Sequence, residues 1–156
     1  MITIGFIGTG LMGLPMAKNI LKSGFKLKAF NRSIEKAEPL KEFGAEISKS
    51  ISDVVKDSDF IITMLTDDSA VDAITSSTDF LNNLKSGSIV IDMSSIKPTT
   101  ATKHGTNLKS KNVNYLDAPV SGGTIGAEDA SLAIMVGGEQ SVFDLSLIHI
   151  SEPTRP

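Results

Sequence analysis

The sequence contains no cysteine and only two histidines, His104 and His149. Without thiols the chain can form neither disulfides nor thiolate metal sites, and two histidines are too few for a histidine-rich metal centre. The formal net charge of −3 does not favour nucleic acid or an anionic membrane as a partner. No apolar run approaches the ~20 residues of a membrane span, and no basic segment precedes the first apolar stretch, as a signal peptide requires. We therefore expect a cytoplasmic protein without a metal site.

The composition is that of one soluble globular domain, with 156 residues, 40% hydrophobic and 21% charged. Short apolar runs rich in β-branched residues alternate with segments of helical periodicity. This alternation predicts an α/β fold, with a doubly wound, mainly parallel sheet and helices on both faces. Strands are predicted at residues 2–7, 26–30, 45–47, 60–65, 89–93, 113–116 and 132–136.

Helical patterns occupy the segments between the predicted strands. The first helix is predicted at residues 11–22, and a second at residues 33–43 with its first residue as the N-cap. Pro39 should kink or shorten that second helix, because proline removes a backbone donor and clashes with the preceding turn. Residues 75–78 are interpreted as a solvated loop, and His104 as a surface residue of a polar helix.

A glycine-rich loop, GTGLMG at residues 8–13, joins the first predicted strand to the first predicted helix. The GxGxxG spacing in this strand–turn–helix context is typical of dinucleotide-binding sites. Gly8 would permit the tight turn, Gly10 would let the backbone approach a pyrophosphate, and Gly13 would let the helix pack closely on the strand. Free amides at the start of the helix would face the phosphates. The alternative interpretation is a glycine turn without a ligand.

The end of the second predicted strand carries Asn31, Arg32 and Ser33, where an NAD-preferring site usually has an acidic residue for the ribose 2′-hydroxyl. The planar guanidinium of Arg32 suits a 2′-phosphate, and the hydroxyl of Ser33 adds a further polar group. The sequence therefore predicts NADP as the preferred cofactor, with NAD as the alternative. In the competing interpretation Arg32 is a solvated charge at the end of a strand.

Residues 6–19, FIGTGLMGLPMAKN, carry a more specific pattern than a bare glycine loop. They resemble the signature of the β-hydroxyacid dehydrogenase family, which includes 3-hydroxyisobutyrate dehydrogenases, tartronate semialdehyde reductases and glyoxylate/succinic semialdehyde reductases. Three later segments resemble the family in the same order: MLTD at 64–67, DMSSIKP at 92–98 and DAPVSGG at 117–123. The likeness covers about residues 1–144.

The resemblance implies a Rossmann domain with strand order 3-2-1-4-5-6 and hydride transfer between NADP(H) and a small hydroxy acid, aldehyde or keto acid. By the same resemblance, Leu65 would pack along the cofactor and Ser95 would contact the nicotinamide ribose region. The hydroxyl of Ser121 and the amides of Gly122 and Gly123 could hold a substrate carboxylate. The predicted cofactor contacts are Gly8, Gly10, Leu11, Met12, Gly13, Asn31, Arg32, Ser33, Leu65 and Ser95.

Three departures leave the subgroup open, because Thr66, Ser95 and Ala130 stand where the family usually has Pro, Thr and Gly. The 6-phosphogluconate dehydrogenases share the glycine loop, the Asn-Arg strand end and the Ser-Gly-Gly loop, and imine reductases share much of the cofactor half. Either cofactor domain is an alternative. The alternative from another functional class is a dinucleotide-binding module without chemistry of its own.

In this family the proton donor is a lysine in a second, all-helical domain, and we expect that domain to be absent from this chain. The chain would then hold no catalytic residue and be inactive, whereas the intact enzyme would be a homo-oligomer. Residues 145–156, LSLIHISEPTRP, depart from the family and resemble the translation of a transposase sequencing adapter. The expected domain therefore spans residues 1–144, followed by an artefactual tail; the alternative is a genuine short amphipathic tail.

Overall fold

The computed structural model describes residues 2–138, 140 and 144. The expected artefactual tail, residues 145–156, lies outside the described residues. The strands are β1 (Thr3–Ile7), β2 (Lys26–Phe30), β3 (Glu46–Ile47), β4 (Phe60–Thr63), β5 (Ile89–Asp92), β6 (Asn114–Asp117), β7 (Val120–Ser121), β8 (Ala133–Ile134) and β9 (Gly137–Gly138). The α-helices are α1 (Gly13–Lys22), α2 (Ile51–Val55), α3 (Asp68–Thr75), α4 (Thr78–Leu81), α5 (Pro98–Lys109) and α6 (Gly123–Asp129).

The main sheet has the strand order β3-β2-β1-β4-β5-β6-β9. Its first six strands are parallel, whereas β9 pairs antiparallel with β6. The predicted doubly wound order is therefore confirmed. The order reverses between β1 and β4, and in such sheets ligands bind outside the carboxyl ends of the strands at this reversal.

The central strands β1, β4 and β5 bury both of their faces, which is why they lack the alternating polarity of a half-exposed sheet. One face packs against α1 and α6, where Phe6, Met16 and Ala127 belong to the same buried cluster. The other face packs against α2, α4 and α5, and Ile61 and Phe80 lie in that second cluster. Helices on both faces were predicted, and the structure confirms them.

The helix predicted at residues 33–43 is wrong in type. The structure has two 3-10 helices there, Ile34–Lys36 and Glu38–Phe43, with Pro39 in the first turn of the second. The ring of proline removes a hydrogen-bond donor and clashes with the preceding turn, so one continuous α-helix cannot form. The hydroxyl of Ser33 also makes no capping hydrogen bond.

The solvated loop predicted at residues 75–78 is reduced to residues 76–77, because Thr75 ends α3 and Thr78 begins α4, and the surface position predicted for His104 is wrong. The side chain of Thr75 is buried and His104 is only 1% exposed. The imidazole lies within 3.2 Å of the Thr75 hydroxyl, and its Nε2 lies 2.7 Å from a carboxylate oxygen of Asp72. Helices α3 and α5 therefore contact each other through polar groups, which hydrophobic periodicity does not reveal.

The strand predicted at residues 26–30 is confirmed with the same bounds, whereas two other predicted strands are shortened at the carboxyl edge of the sheet. β4 ends at Thr63 and β5 ends at Asp92, before the loops that carry Leu65 and Ser94. The strand predicted at residues 132–136 is reduced to β8, which pairs only with β7. Among the described residues, no helix is long and apolar enough to cross a membrane, and no group of three or more acidic, histidine or cysteine residues could hold a metal ion.

Candidate cofactor-binding site

The glycine loop turns sharply from β1 into α1. Gly8 has φ +103°, and its N–H donates to the carbonyl of Phe30 at 3.0 Å. A Cβ atom at Gly8 would collide with the carbonyl oxygen of Met64, and one at Gly13 would collide with the carbonyl oxygen of Gly8. A Cβ atom at Gly10 would meet nothing within 4 Å. The loop is therefore closed against the protein at Gly8 and Gly13 and open towards solvent at Gly10, as a cradle for phosphate groups requires.

Asn31 fastens this loop to the end of β2. Its Oδ1 accepts from the N–H of Thr9 at 3.0 Å, and its Nδ2 donates to the carbonyl of Ser33 at 3.0 Å. Both ends of the amide are thus engaged within the protein. Asn31 was predicted to contact the cofactor, and the geometry supports a role in shaping the loop that would hold it.

Arg32 follows at the exposed end of β2. Its guanidinium makes no ion pair with any residue that the structure describes. Its five N–H donors therefore remain available to an anionic ligand. An arginine in this state next to the glycine loop suits a phosphate on the adenosine ribose.

A groove of about 610 Å³ opens beside the glycine loop. Thr9, Gly10 and Leu11 line one end of it, and Lys36 lines the side formed by the 3-10 helices. Lys36 was not predicted from the sequence. No signal in the sequence marked it, because an α-helix was predicted over this segment.

The loops after β4 and β5 meet beside the glycine loop. The N–H of Met64 donates to the carbonyl of Ile7 at 2.9 Å, and a side-chain methyl of Leu65 would lie 3.0 Å from a Cβ atom at Gly8. The N–H of Leu65 donates to the hydroxyl of Ser94 at 2.8 Å. The structure therefore places Leu65 against the glycine loop. The exposed residue Ser95 follows Ser94 on the neighbouring loop.

The predicted substrate segment follows the carboxyl end of β6. Ser121 ends β7, and the exposed glycines Gly122 and Gly123, with φ values of +138° and +61°, lead into α6. The side chain of Asn19 on α1 donates to the carbonyl of Ala127 on α6 at 2.7 Å. This hydrogen bond connects the helix that follows the glycine loop to the helix that follows the predicted substrate segment.

Two carboxylates lie at the ends of neighbouring strands, where Asp92 and Asp117 are partners in the β5–β6 register. Burial raises the pKa of the Asp92 carboxyl above its usual range, against the lowering effect of hydrogen bonds from Ser94 and Thr63. Burial and the charge of Asp92 also raise the pKa of Asp117. Both residues lie in segments that resemble the family, but neither was predicted as a site residue.

The doubly wound sheet, the glycine loop at its reversal point and the cationic strand end together define a dinucleotide-binding domain of the Rossmann type. A family model described as the NAD binding domain of 6-phosphogluconate dehydrogenase matches residues 3–148. An oxidoreductase of Bacillus subtilis, YkwC, whose name marks it as uncharacterized, is 44% identical over 143 residues, which are 91% of this chain and 50% of that protein. The mitochondrial 3-hydroxyisobutyrate dehydrogenase of Drosophila melanogaster is 39% identical over 143 residues, 90% of this chain and 43% of that protein.

Solved structures show the same fold. The 3-hydroxyisobutyrate dehydrogenase of Mycobacterium tuberculosis with L-serine superposes with a TM-score of 0.91 at 34% identity, covering 99% of this chain and 52% of that one. Psf3 in complex with NADP+ and 2-OPP gives a TM-score of 0.89 at 30% identity, covering 94% and 52%. This chain belongs to the β-hydroxyacid dehydrogenase family and corresponds to its NAD(P)-binding domain. It spans about half the length of the curated relatives it matches.

Proposed function

We propose that this chain is the NADP(H)-binding part of a dehydrogenase or reductase that acts on a small hydroxy acid, aldehyde or keto acid. The proposal is carried by the open face of Gly10 and by the exposed Arg32, which directly follows the residue that fastens the glycine loop, Asn31. Together they offer backbone donors for a pyrophosphate and a cation for a third phosphate. The family membership supports the oxidoreductase class.

Each half of the cofactor would have its own contacts on this chain. Backbone amides of Gly10, Leu11 and Met12 would hold the pyrophosphate, because the first amides of a helix have no partners within the helix. Leu65 and Ser95 would line the nicotinamide half. When bound, NADPH supplies the hydride that reduces the substrate.

The adenosine end determines the choice between NADP and NAD. Arg32 and Ser33 occupy the strand end where an acid would otherwise bind the ribose 2′-hydroxyl. Lys36 is one of the three lysines that line the adjoining groove and the one nearest to them in sequence. A 2′-phosphate gains charge-assisted hydrogen bonds from such groups, whereas a 2′-hydroxyl gains much less. We therefore propose that NADPH binds more tightly than NADH.

Calorimetric titration of the chain with NADPH and NADH tests this proposal. Arg32→Asp should reverse the order of the two affinities, because the carboxylate repels a 2′-phosphate and accepts from a 2′-hydroxyl. Lys41→Asp is the matched control, since it makes the same charge change at an exposed position of the neighbouring 3-10 helix. Tighter binding of NADH by the unaltered chain would contradict the role given to Arg32.

The substrate would bind at the segment after β6. The hydroxyl of Ser121 and the amides of Gly122 and Gly123 would hold its carboxylate, and no residue of this chain is assigned as the proton donor. We propose that residues 1–144 form the cofactor domain and that the chain alone does not turn over. Reduction of glyoxylate or succinic semialdehyde by this chain with NADPH, followed as the loss of NADPH absorbance, would show that proposal to be wrong.

Apolar side chains are exposed next to the predicted substrate segment. Ile125, Ile134 and Met135 are more than half exposed. Contiguous exposed apolar surface commonly marks a contact with another domain or subunit. This supports the proposal that the intact enzyme is a homo-oligomer, which light scattering of the intact enzyme would test.

A further inference from the structure

A row of polar side chains crosses the carboxyl edge of the sheet. Thr63, Asp92 and Asp117 are register partners across β4, β5 and β6, so their side chains project from the same face. Thr63 and Asp92 are fully buried. Apart from Lys28 on β2, the other buried residues of this sheet's strands carry no polar side chain, so the polar row is a local exception.

Asp92 is the centre of a hydrogen-bonded chain. Its Oδ1 accepts from the hydroxyl of Thr63 at 2.9 Å and from the N–H of Ser94 at 3.0 Å. The hydroxyl of Ser94 in turn accepts from the N–H of Leu65 at 2.8 Å. Asp92 therefore joins the end of β4, the loop after β4 and the loop after β5.

The arrangement costs the fold stability. The second oxygen of Asp92, Oδ2, is buried without a hydrogen-bond partner among the described residues. A buried polar atom left unpaired is unfavourable, and burial already raises the pKa of this carboxyl. An apolar residue would avoid that cost, but it could not hold Ser94 and Thr63 together. Departures of this kind are expected where a function depends on local geometry.

The loops that Asp92 joins carry Leu65 and Ser95, the two residues assigned to the nicotinamide half of the cofactor. We propose that Asp92 is a positioning residue that fixes the distance between these loops and thereby the affinity for the nicotinamide half, without touching the cofactor. This inference rests on the proposed NADP(H) function. It does not involve the glycine loop or Arg32, which would hold the other half.

Two ligands separate the halves of the site. NADPH spans the whole site, whereas 2′,5′-ADP probes only the adenosine half. Asp92→Ala should weaken NADPH binding about tenfold and leave 2′,5′-ADP binding within about twofold, both measured by calorimetric titration. Asp92→Asn should restore NADPH binding, because the amide oxygen can still accept from Thr63 and Ser94.

Ser94→Ala provides a second variant that leaves the bond from Thr63 to Asp92 in place. It should show the same selective loss, and the amide of Leu65 should exchange its hydrogen about tenfold faster than in the unaltered chain. Asp59→Ala is the matched control, since it also removes a carboxylate that accepts from a backbone N–H, but at the opposite edge of the sheet. It should leave the ratio of the two affinities unchanged.

If Asp92→Ala weakens the binding of NADPH and of 2′,5′-ADP equally, Asp92 has a general structural role and the inference is overturned. Unchanged binding of both would overturn it as well. Failure of the unaltered chain to bind 2′,5′-ADP would instead reject the proposed NADP(H) site, and the inference with it. Failure of the inference and failure of the proposed function are distinguishable, because the unaltered chain binds 2′,5′-ADP in the first case and does not bind it in the second.

Discussion

The side-chain amide of Asn19 donates to the main-chain carbonyl of Ala127 at 2.7 Å and thereby links α1 to α6 across 108 residues of sequence. A second carbonyl, that of Glu128, lies 3.4 Å from the same nitrogen. The helix behind the phosphate cradle and the helix behind the predicted substrate segment therefore have a common support. Their relative position is important for any ligand that contacts both.

Asn19→Ala should lower the free energy of unfolding by about 1–2 kcal/mol, because it leaves a carbonyl at the α1–α6 contact without its donor. Urea unfolding followed by circular dichroism measures this. Asn83→Ala is the control, since that amide donates to the main-chain carbonyl of Asp79, only four residues earlier in the chain. An equal loss in both variants would contradict a specific role for the α1–α6 link.

Gly10→Ala and Gly13→Ala should behave differently. A Cβ atom at Gly13 would collide with the carbonyl of Gly8, so Gly13→Ala should cost about 3 kcal/mol or more, as overpacking against backbone does. A Cβ atom at Gly10 has free space, so Gly10→Ala should leave the unfolding free energy within about 0.5 kcal/mol. Gly10→Ala should nevertheless lower the affinity for NADPH, since the methyl group would occupy the space of the pyrophosphate. Normal NADPH affinity of Gly10→Ala would place the cofactor elsewhere.

The carboxyl of Asp92 should make stability fall with rising pH. Its pKa is raised in the folded chain, chiefly by burial, so the folded state binds this proton more tightly than the unfolded state does. The stabilisation is fully present below the unfolded pKa of 3.8 and is lost as the pH rises through the folded value. Urea unfolding of the unaltered chain and of Asp92→Asn over a pH series gives the free energy of unfolding at each pH. Its decrease with rising pH should be smaller in the variant.

Asp59 should contribute the opposite pH dependence, with stability rising as the pH rises. Burial raises the pKa of this carboxyl, but the hydrogen bonds from Lys85 and Thr3 and the charge of Lys85 outweigh that effect, and the net pKa is lowered. Its contribution is present above 3.8 and is lost as the pH falls through the lowered value. Because the ion pair is partly exposed, Asp59→Asn should cost about 0.2–1 kcal/mol at pH 7 and progressively less in acid. A cost that grows in acid would contradict this assignment.

Lys28 should stabilise the end of α2. Its buried ammonium group donates to the carbonyls of Asp53 and Lys56 at 2.6 and 2.5 Å, where helix carbonyls lack partners within the helix. Lys28→Met keeps the alkyl chain and removes the donors, so it should lower the free energy of unfolding by about 1–3 kcal/mol. Lys26→Met, at an exposed position of the same strand, should change it by less than about 0.5 kcal/mol. Thermal unfolding of both variants and of the unaltered chain measures these two changes in the free energy of unfolding.

The architecture could be predicted because its signals are local. The apolar runs of β1 and β4 and the glycines after β1 determine strand, turn and helix within a few residues. The failures involve long-range partners or one incompatible residue. His104 is buried because Asp72 and Thr75 reach it from another helix, and Pro39 prevents a continuous α-helix where the surrounding pattern favours one.

In the candidate site, too, the features with a local sequence signal could be predicted and those that depend on long-range contacts could not. The glycine loop could be predicted from spacing, and its geometry fits the predicted roles of Gly8, Gly10 and Gly13. The buried link through Asp92 could not, because hydrogen bonds between neighbouring strand ends depend on register, which a single sequence does not specify. Contacts of Ser95 and Ser121 with ligands stay predictions.

On one side the main sheet ends in β3, which has two residues, whereas the next five strands have four or five. An edge this short offers few free N–H and C=O groups to a strand from another molecule. Extension of the sheet from one molecule into the next is therefore disfavoured on the side of β3. The carboxyl ends of the strands can thus stay open for a ligand, while the lateral edge at β3 is protected from pairing with another molecule.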